Sequence, residues 1–177
     1  MAYELEAFCA DARKTLKEQP GAAGREAVRK LVEKLLRNPA FVEKYCGSGA
    51  KPGIEVIHRD RDTGFNVLVH VYEKGKSGPP HDHGTSWAIY GQAAGSTVMT
   101  KWRRLDDGKK EGFANVERGE SFKLAPGMAG KFEPGDIHSI EIGDGSRFVR
   151  VTGTDLNAIP TAVFNPEKKS VASGDRL

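Results

Sequence analysis

The chain has 177 residues, which suits one domain with a single hydrophobic core. Its 27 basic and 24 acidic residues leave a net charge of +3, too small and too evenly spread to indicate a nucleic-acid-binding protein. Two cysteines make no disulfide framework, no apolar run is long enough to span a membrane, and the N-terminal residues lack the apolar core of a signal peptide. We therefore expect a cytoplasmic protein with reduced thiols and no nucleic-acid or membrane partner.

The first part of the chain has the apolar spacing of helices. One stripe starts at Leu5 and Phe8 and ends at Pro20-Gly21, and a second runs from Val28 to Leu36 and ends at Asn38-Pro39. No residue in these stripes suggests chemistry. We predict an N-terminal helical segment over residues 1–45 that packs on a sheet.

After a glycine-rich connector, residues 46–53, the apolar period changes to two. This period is typical of strands. Residues 106–108 and 143–145 have the composition of hairpin turns. We expect a sandwich or barrel over residues 46–165, within one domain, and a loose tail over 166–177. The predicted strands are 54–59, 65–72, 86–90, 96–105, 113–118, 121–125, 128–132, 137–142 and 147–152.

The segment PPHDHGTSW (79–87) carries the first chemical signal. Side chains alternate between the two faces of an extended strand, so His81 and His83 point the same way and Asp82 points away. Two imidazoles on one face can bind one metal ion, and the third ligand must come from elsewhere. A chance pair of histidines on a surface strand is the alternative.

The segment FEPGDIHSI (132–140) supplies a candidate third ligand. Pro134-Gly135 predicts a tight turn, and His138 lies at the start of the strand that follows. In a closed barrel this strand can lie beside the His-x-His segment. Neutral imidazole suits zinc, copper, iron and nickel, and three such ligands leave positions open for substrate, oxygen or water. His58 and His70 lack a partner motif, and we interpret His70 as a core residue.

These two segments resemble the two short motifs of the cupin superfamily. Most cupins end the first motif in a metal-binding Glu, but Trp87 and Ala88 stand at that position here. A site of three histidines without a carboxylate resembles the thiol dioxygenase branch, represented by cysteine dioxygenase. FNVLVHVYEKGKSGPPHDH (65–83) is similar to the strand, loop and His-Asp-His segment of that family.

The resemblance implies a mainly β fold, a cupin-type double-stranded β-helix (jelly-roll) barrel with N-terminal helices. It implies a non-haem iron(II) dioxygenase that adds O2 to the sulfur of a small thiol such as cysteine or a related thiol carboxylate. The iron ligands and catalytic residues would be His81, His83 and His138. Cupin sheets often bury an edge in dimers, so a homodimer is compatible with this family.

The resemblance also implies residues that contact the substrate. Arg59 matches the arginine that pairs with the substrate carboxylate, with Arg61 as its rival, and a guanidinium suits this role because it binds a carboxylate through two parallel hydrogen bonds. Arg150 could donate a hydrogen bond to a bound oxygen, and Trp87 could form a wall of the pocket. A surface arginine and a core tryptophan are the alternatives.

The chain departs from cysteine dioxygenase at three positions, the first being Arg150, which stands at the place of a histidine near the family's tyrosine. Thr152 stands near the place of the family's tyrosine, and the cysteine that crosslinks to that tyrosine has no match near Trp87. Two other functions therefore stay open: a non-catalytic cupin that binds a metal or small molecule, and a cupin enzyme that uses nickel, zinc or manganese.

Overall fold

The structure is a computed structural model that describes residues 3–173. Its first elements are three helices, α1 (Leu5–Glu18), α2 (Ala22–Leu36) and α3 (Pro39–Cys46). Asn38 begins α3 because its side chain accepts a hydrogen bond from the backbone N–H of Ala40, and Pro39 fits the first turn. The helices lie where the apolar spacing of the sequence predicts them.

Strands make up most of the remaining chain. A short 3₁₀ turn (Leu156–Ala158) interrupts them. The strands are β1 (Gly53–Arg59), β2 (Asn66–Val71), β3 (Lys76–Ser77), β4 (Ala88–Ala94), β5 (Thr97–Arg104), β6 (Val116–Leu124), β7 (Ala129–Phe132), β8 (Ile137–Ile142), β9 (Arg147–Thr152), β10 (Ala162–Asn165) and β11 (Ser170–Ser173).

Strands β1 to β9 form two facing antiparallel sheets, and β10 pairs with β11 in a separate two-stranded sheet. One sheet has the order β1-β2-β9-β4-β7 and the other has the order β3-β8-β5-β6. Apart from the edge strand β1, each sheet has four strands. From β2 to β9 the chain crosses to the other sheet at every step except the β5–β6 hairpin, as in a jelly roll. The protein is therefore a mainly β, cupin-type double-stranded β-helix preceded by helices, as predicted.

The helices cover the outer face of the first sheet. Val67, Val69, Val149 and Val151 point to this side and pack with the apolar residues of α1, α2 and α3. Helix α2 approaches β4 closely at Gly91, where an added Cβ would lie 2.4 Å from a methyl carbon of Val32. Both free thiols, Cys9 and Cys46, are buried here. Burial raises their pKa values to about 12 and about 11, so these thiols stay protonated.

The inner faces of the two sheets form a second core. Its members are mostly apolar side chains that alternate with the helix-facing ones. They are Ala88, Tyr90, Met99, Leu124, Phe132, Ile140, Ile142 and Phe148.

Three local expectations are corrected. The strands predicted at 113–118 and 121–125 are one strand, β6, because the backbone continues in extended form through Gly119. The turn at 143–145 joins β8 to β9, which belong to different sheets, so it is a crossover and not a hairpin. The segment predicted as a loose tail contains β11, which pairs with β10; residues 174–177 lie outside the described part.

A further finding concerns membranes. Within residues 3–173, no helix is both long enough and apolar enough to cross a bilayer.

Candidate metal centre and adjoining cavities

A backbone bridge and a hydrogen bond between two turns bring the histidine segments together. His81 and His138 form an isolated antiparallel bridge, in which each backbone N–H donates to the other's carbonyl oxygen at 2.9 and 3.0 Å. Gly135 N–H donates to the carbonyl oxygen of Gly84 at 3.0 Å. Gly84 has φ +56°, and a Cβ there would lie 2.2 Å from the Pro160 carbonyl oxygen, so only glycine fits. The bridge and the turn contact hold the two predicted ligand segments in register.

Asp82 has a structural role. Its carboxylate accepts hydrogen bonds from the backbone N–H groups of Gly84 at 3.0 Å and Ala162 at 2.9 Å. The bond from Ala162 ties the His-x-His segment to β10, and the bond from Gly84 shapes the turn that follows Asp82. Asp82 is therefore turned away from the histidines, as alternation along the strand predicts.

The side chains of His81, His83 and His138 converge. One possible ligand atom from each lies within 4.8 Å of the others, and the three residues are 5%, 2% and 0% exposed. Opposite nitrogen ligands, each about 2.1 Å from a metal, lie about 4.2 Å apart, so small side-chain rotations bring these atoms to coordination distance. A hydrogen bond fixes one ring: Nδ1 of His81 lies 3.0 Å from the Pro79 carbonyl oxygen, which can only accept. Nδ1 therefore carries the hydrogen, and the Nε2 lone pair is left for a metal.

The surroundings keep the centre neutral. Burial lowers the pKa of His138 well below its ordinary value, and the nearby His81 and Arg150 lower it further. The Phe132 ring stacks on the His138 ring, with centroids 3.8 Å apart. Neutral imidazole is the form that binds metals. The donor set therefore fits one divalent transition metal ion, and this group of histidines can bind it.

Tyr90 is a residue of this centre that the sequence did not single out. Its phenol oxygen lies 3.2 Å from Nε2 of His83 and 3.5 Å from Nε2 of His138, and the residue is 3% exposed. The alternation of side chains along the strand could have identified it. Ala88 and Tyr90 lie on either side of the helix-facing Ile89, so both point into the barrel.

A small inner cavity of about 20 Å³ adjoins the histidines, large enough for one water molecule. His81, Tyr90, His70 and Arg150 contribute to its lining. Nδ1 of His70 lies 3.2 Å from the Tyr72 hydroxyl, but the buried Nε2 has no hydrogen-bond partner among the described residues. The same holds for Nε of Arg150. His70 is thus a barrel-interior residue, as predicted, but its ring is only half satisfied.

A larger outer cavity of about 790 Å³ opens beside the first sheet. Arg59 on β1, Asn66 on β2 and Arg150 on β9 line it, and Asp155 contributes from the loop before the 3₁₀ turn. Its size is typical of ligand pockets. Arg150 borders both cavities and therefore separates the outer cavity from the centre.

Of the predicted substrate residues, two line a cavity and one lies in the core. Arg59 and its rival Arg61 are both exposed, but only Arg59 lines the outer cavity. Arg150 lines both cavities. Trp87 lies in the core between the helices and the first sheet and lines neither cavity. The expectation that Trp87 forms a pocket wall is therefore corrected. Trp87 and Ile89 are two residues apart and lie on the same, helix-facing side, so Trp87 points away from the barrel interior.

Comparisons with known proteins concern the fold. No family model and no curated protein matches this sequence. Among solved structures, KdgF from Halomonas sp. is 17% identical, with a TM-score of 0.41 over 58% of this chain and 81% of that one. The DMSP lyase DddQ from Ruegeria pomeroyi DSS-3 is 16% identical, with a TM-score of 0.46 over 65% of this chain and 52% of that one. A cupin-2 domain protein from Shewanella frigidimarina is 13% identical, with a TM-score of 0.42 over 63% and 89%.

Nothing in these comparisons points to cysteine dioxygenase in particular. The jelly-roll assignment rests on the strand order of the two sheets, and these proteins are similar to this chain in that fold alone.

Proposed function

We propose that this chain is a metal-dependent oxidoreductase, a non-haem iron(II) dioxygenase that adds O2 to the sulfur of a small thiol. The observation that carries the proposal is the convergence of three buried histidines, His81, His83 and His138, on one centre. Within residues 3–173 this group includes no carboxylate and no thiol. The thiol part of the proposal is supported by the resemblance of both histidine segments to the thiol dioxygenase branch.

Iron bound there would supply the redox chemistry that passes both atoms of O2 to sulfur. The chain supplies the surroundings. His81 is oriented by the Pro79 carbonyl, His138 is held neutral by burial, and Phe132 restricts the ring of His138. The apolar residues between the sheets limit the access of bulk water to this centre.

The proposed substrate end lies in the outer cavity. A carboxylate between Arg59 and Arg150 would receive charge-assisted hydrogen bonds from two guanidinium groups. Arg150 also borders the inner cavity, which His81 lines. A thiol carboxylate whose carboxylate is bound by Arg150 in the outer cavity would therefore have its thiol end directed towards His81. Cysteine would fill only a small part of a cavity of about 790 Å³, so we expect a larger thiol carboxylate.

The decisive experiment measures metal content and then oxygen uptake. The purified protein is loaded with iron(II) without oxygen, its iron is measured, and oxygen consumption is followed with a panel of thiols. Thiol-dependent uptake by the iron form, and none by a zinc form, is the expected result. Tight thiol binding without uptake in a fully iron-loaded sample would show a binding protein instead.

A pair of variants tests the ligand assignment separately. His83→Ala should lose most of its metal and still fold, because the jelly roll has its own core. His58→Ala removes a histidine outside the cluster and should keep its metal. Metal saturating the wild type at 100 times its Kd stabilises it by about 2.7 kcal/mol, so the unfolding temperature should rise with metal in the wild type and not in His83→Ala. Equal metal content in all three proteins would show that the assignment is wrong.

A further inference from the structure

We infer that Tyr90 is a fourth protein ligand of the metal, so that the site is composed of three imidazoles and one phenolate. The inference rests on the proposed metal centre and adds to it a residue outside both histidine motifs. It is drawn from the position of the Tyr90 phenol oxygen between two of the histidine rings.

The distances agree with a shared coordination sphere. Two ligand atoms, each about 2.1 Å from one metal, lie about 3.0 Å apart when they are neighbours in an octahedron and about 3.4 Å apart in a tetrahedron. The Tyr90 oxygen lies 3.2 Å from Nε2 of His83 and 3.5 Å from Nε2 of His138. Both separations are those of neighbouring ligands, so no large movement of the tyrosine is needed.

The placement of Tyr90 on β4 makes this contact possible. Ala88 and Tyr90 are inward-facing residues of β4 and belong to the same core between the sheets. Phe132 and Phe148 flank the ring at centroid separations of 6.0 and 5.9 Å. The phenol is therefore held between aromatic neighbours with its oxygen at the histidines.

The chemistry favours coordination over a simple hydrogen bond. Nε2 of His83 cannot accept a proton from the Tyr90 hydroxyl and donate its lone pair to a metal at the same time. Metal binding therefore breaks this hydrogen bond. The phenol oxygen then binds the ion as phenolate, and its proton leaves to solvent. An anionic oxygen added to three neutral imidazoles offsets part of the charge of the ion in a buried site.

Spectroscopy of the iron(III) form tests this directly, because phenolate bound to iron(III) gives an intense visible charge-transfer band and imidazole does not. Wild-type protein is loaded with iron(II), its iron is measured, and the sample is oxidised. We expect a coloured protein whose band is absent in Tyr90→Phe at equal iron content. Zinc affinity of Tyr90→Phe should fall at least about tenfold.

Tyr72→Phe is the matched control. Tyr72 also lies at the barrel interior and contacts the inner cavity, but its hydroxyl pairs with His70. This variant should keep the band and the zinc affinity. If Tyr90→Phe does not fold, resonance Raman spectra of the wild type and Tyr72→Phe, excited in the band, replace it and should both show tyrosinate vibrations.

The outcomes separate the two proposals. A fully iron-loaded wild type without the band, a band that survives Tyr90→Phe, or one that is lost in Tyr72→Phe overturns the role of Tyr90 and leaves the three-histidine site standing. A wild type that takes up none of iron, zinc, nickel or manganese overturns both.

Discussion

The ring of Phe132 stacks on the ring of His138, with centroids 3.8 Å apart and planes 13° from parallel. The two residues come from β7 and β8, on opposite sides of the Pro134-Gly135 turn and in different sheets. A hydrocarbon ring against an imidazole restricts its rotation without changing its charge. Phe132 thus acts as a positioning residue for a proposed metal ligand.

Shortening this side chain should weaken metal binding. We expect Phe132→Leu to lower the free energy of unfolding by about 1–2 kcal/mol and to raise the metal Kd about tenfold, because His138 gains rotational freedom. Phe65→Leu is the control, since Phe65 is equally buried but lies on the helix-covered face. Calorimetric metal titration distinguishes the two; an equal metal Kd for both variants would contradict the positioning role.

Substrate anchoring is tested at Arg150. Arg150→Gln should weaken the binding of a thiol carboxylate to the metal-loaded protein about 10- to 100-fold, the value of one or two charge-assisted hydrogen bonds. The methyl ester of the same thiol should bind both proteins alike. Arg147→Gln lies on the same strand, but its guanidinium donates to the Cys46 carbonyl on the other face and should have no effect. Anaerobic calorimetry provides the measurement, and a loss shared by acid and ester would argue against a carboxylate contact.

The buried ring of His70 makes stability depend on pH. Burial, with the charges of Arg150 and Lys76, lowers the pKa of His70 well below its usual 6.5. Below about pH 6.5 the unfolded chain takes up a proton that the folded chain does not, so the metal-free protein loses up to about 1.4 kcal/mol per pH unit from this group as the pH falls.

Replacing this residue should flatten that dependence. Between about pH 6.5 and about pH 5, the unfolding free energy of His70→Gln should fall less than that of the wild type. The difference should be up to about 1.4 kcal/mol for each pH unit. Urea titrations of both proteins in the presence of a chelator measure it. Parallel pH profiles would mean that His70 takes up its proton in the folded state.

The loop between β1 and β2 depends on one carboxylate. Burial alone would raise the pKa of Asp60, but the hydrogen bonds from Arg13 and Thr63 outweigh it and lower the pKa to about 2. Its stabilising contribution is therefore present above about pH 3.8 and is lost as the pH falls towards 2.

Asp60→Asn should lower the free energy of unfolding at pH 7 by about 1–2 kcal/mol. This is less than the full pKa shift would give, because Arg13 is partly exposed and solvent screens its interaction with Asp60. Asp62→Asn in the same loop removes an exposed ion pair with Lys17 and should cost less than about 0.5 kcal/mol. Denaturant titrations at pH 7 and near pH 2 provide the test: the difference between the wild type and Asp60→Asn should disappear at the acid end. A difference that persists there would mean that packing, not charge, carries the effect.

Much of the candidate site could be predicted from the sequence because its signals are local. His81 and His83 share a face since strand side chains alternate, and Pro134-Gly135 marks the turn before His138. Period-two apolar runs predicted the mainly β class, and proline and glycine marked the ends of the helices. These features depend on neighbouring residues only.

The tertiary structure decided which distant residues meet. Tyr90 reaches the histidines because β4 places its inward face beside β8 across the barrel, a contact between two sheets that no local pattern encodes. A tryptophan at position 87 is compatible with a pocket wall and with a core. Only the packing of the helices on the outer face of the first sheet shows that Trp87 is a core residue. The turn at 143–145 looks like a hairpin by composition, but the sheet order makes it a crossover.

For the candidate metal centre, then, the sequence by itself determined that His81 and His83 share a face, since residues two apart on a strand point the same way, and it marked His138 as the candidate third ligand. Only the fold decided that His81 pairs with His138 through the backbone, that Arg150 stands between two cavities, and that a phenol lies beside the imidazoles. The physical reason is that strand pairing and sheet packing join residues far apart in the chain, and their register is set by the whole barrel.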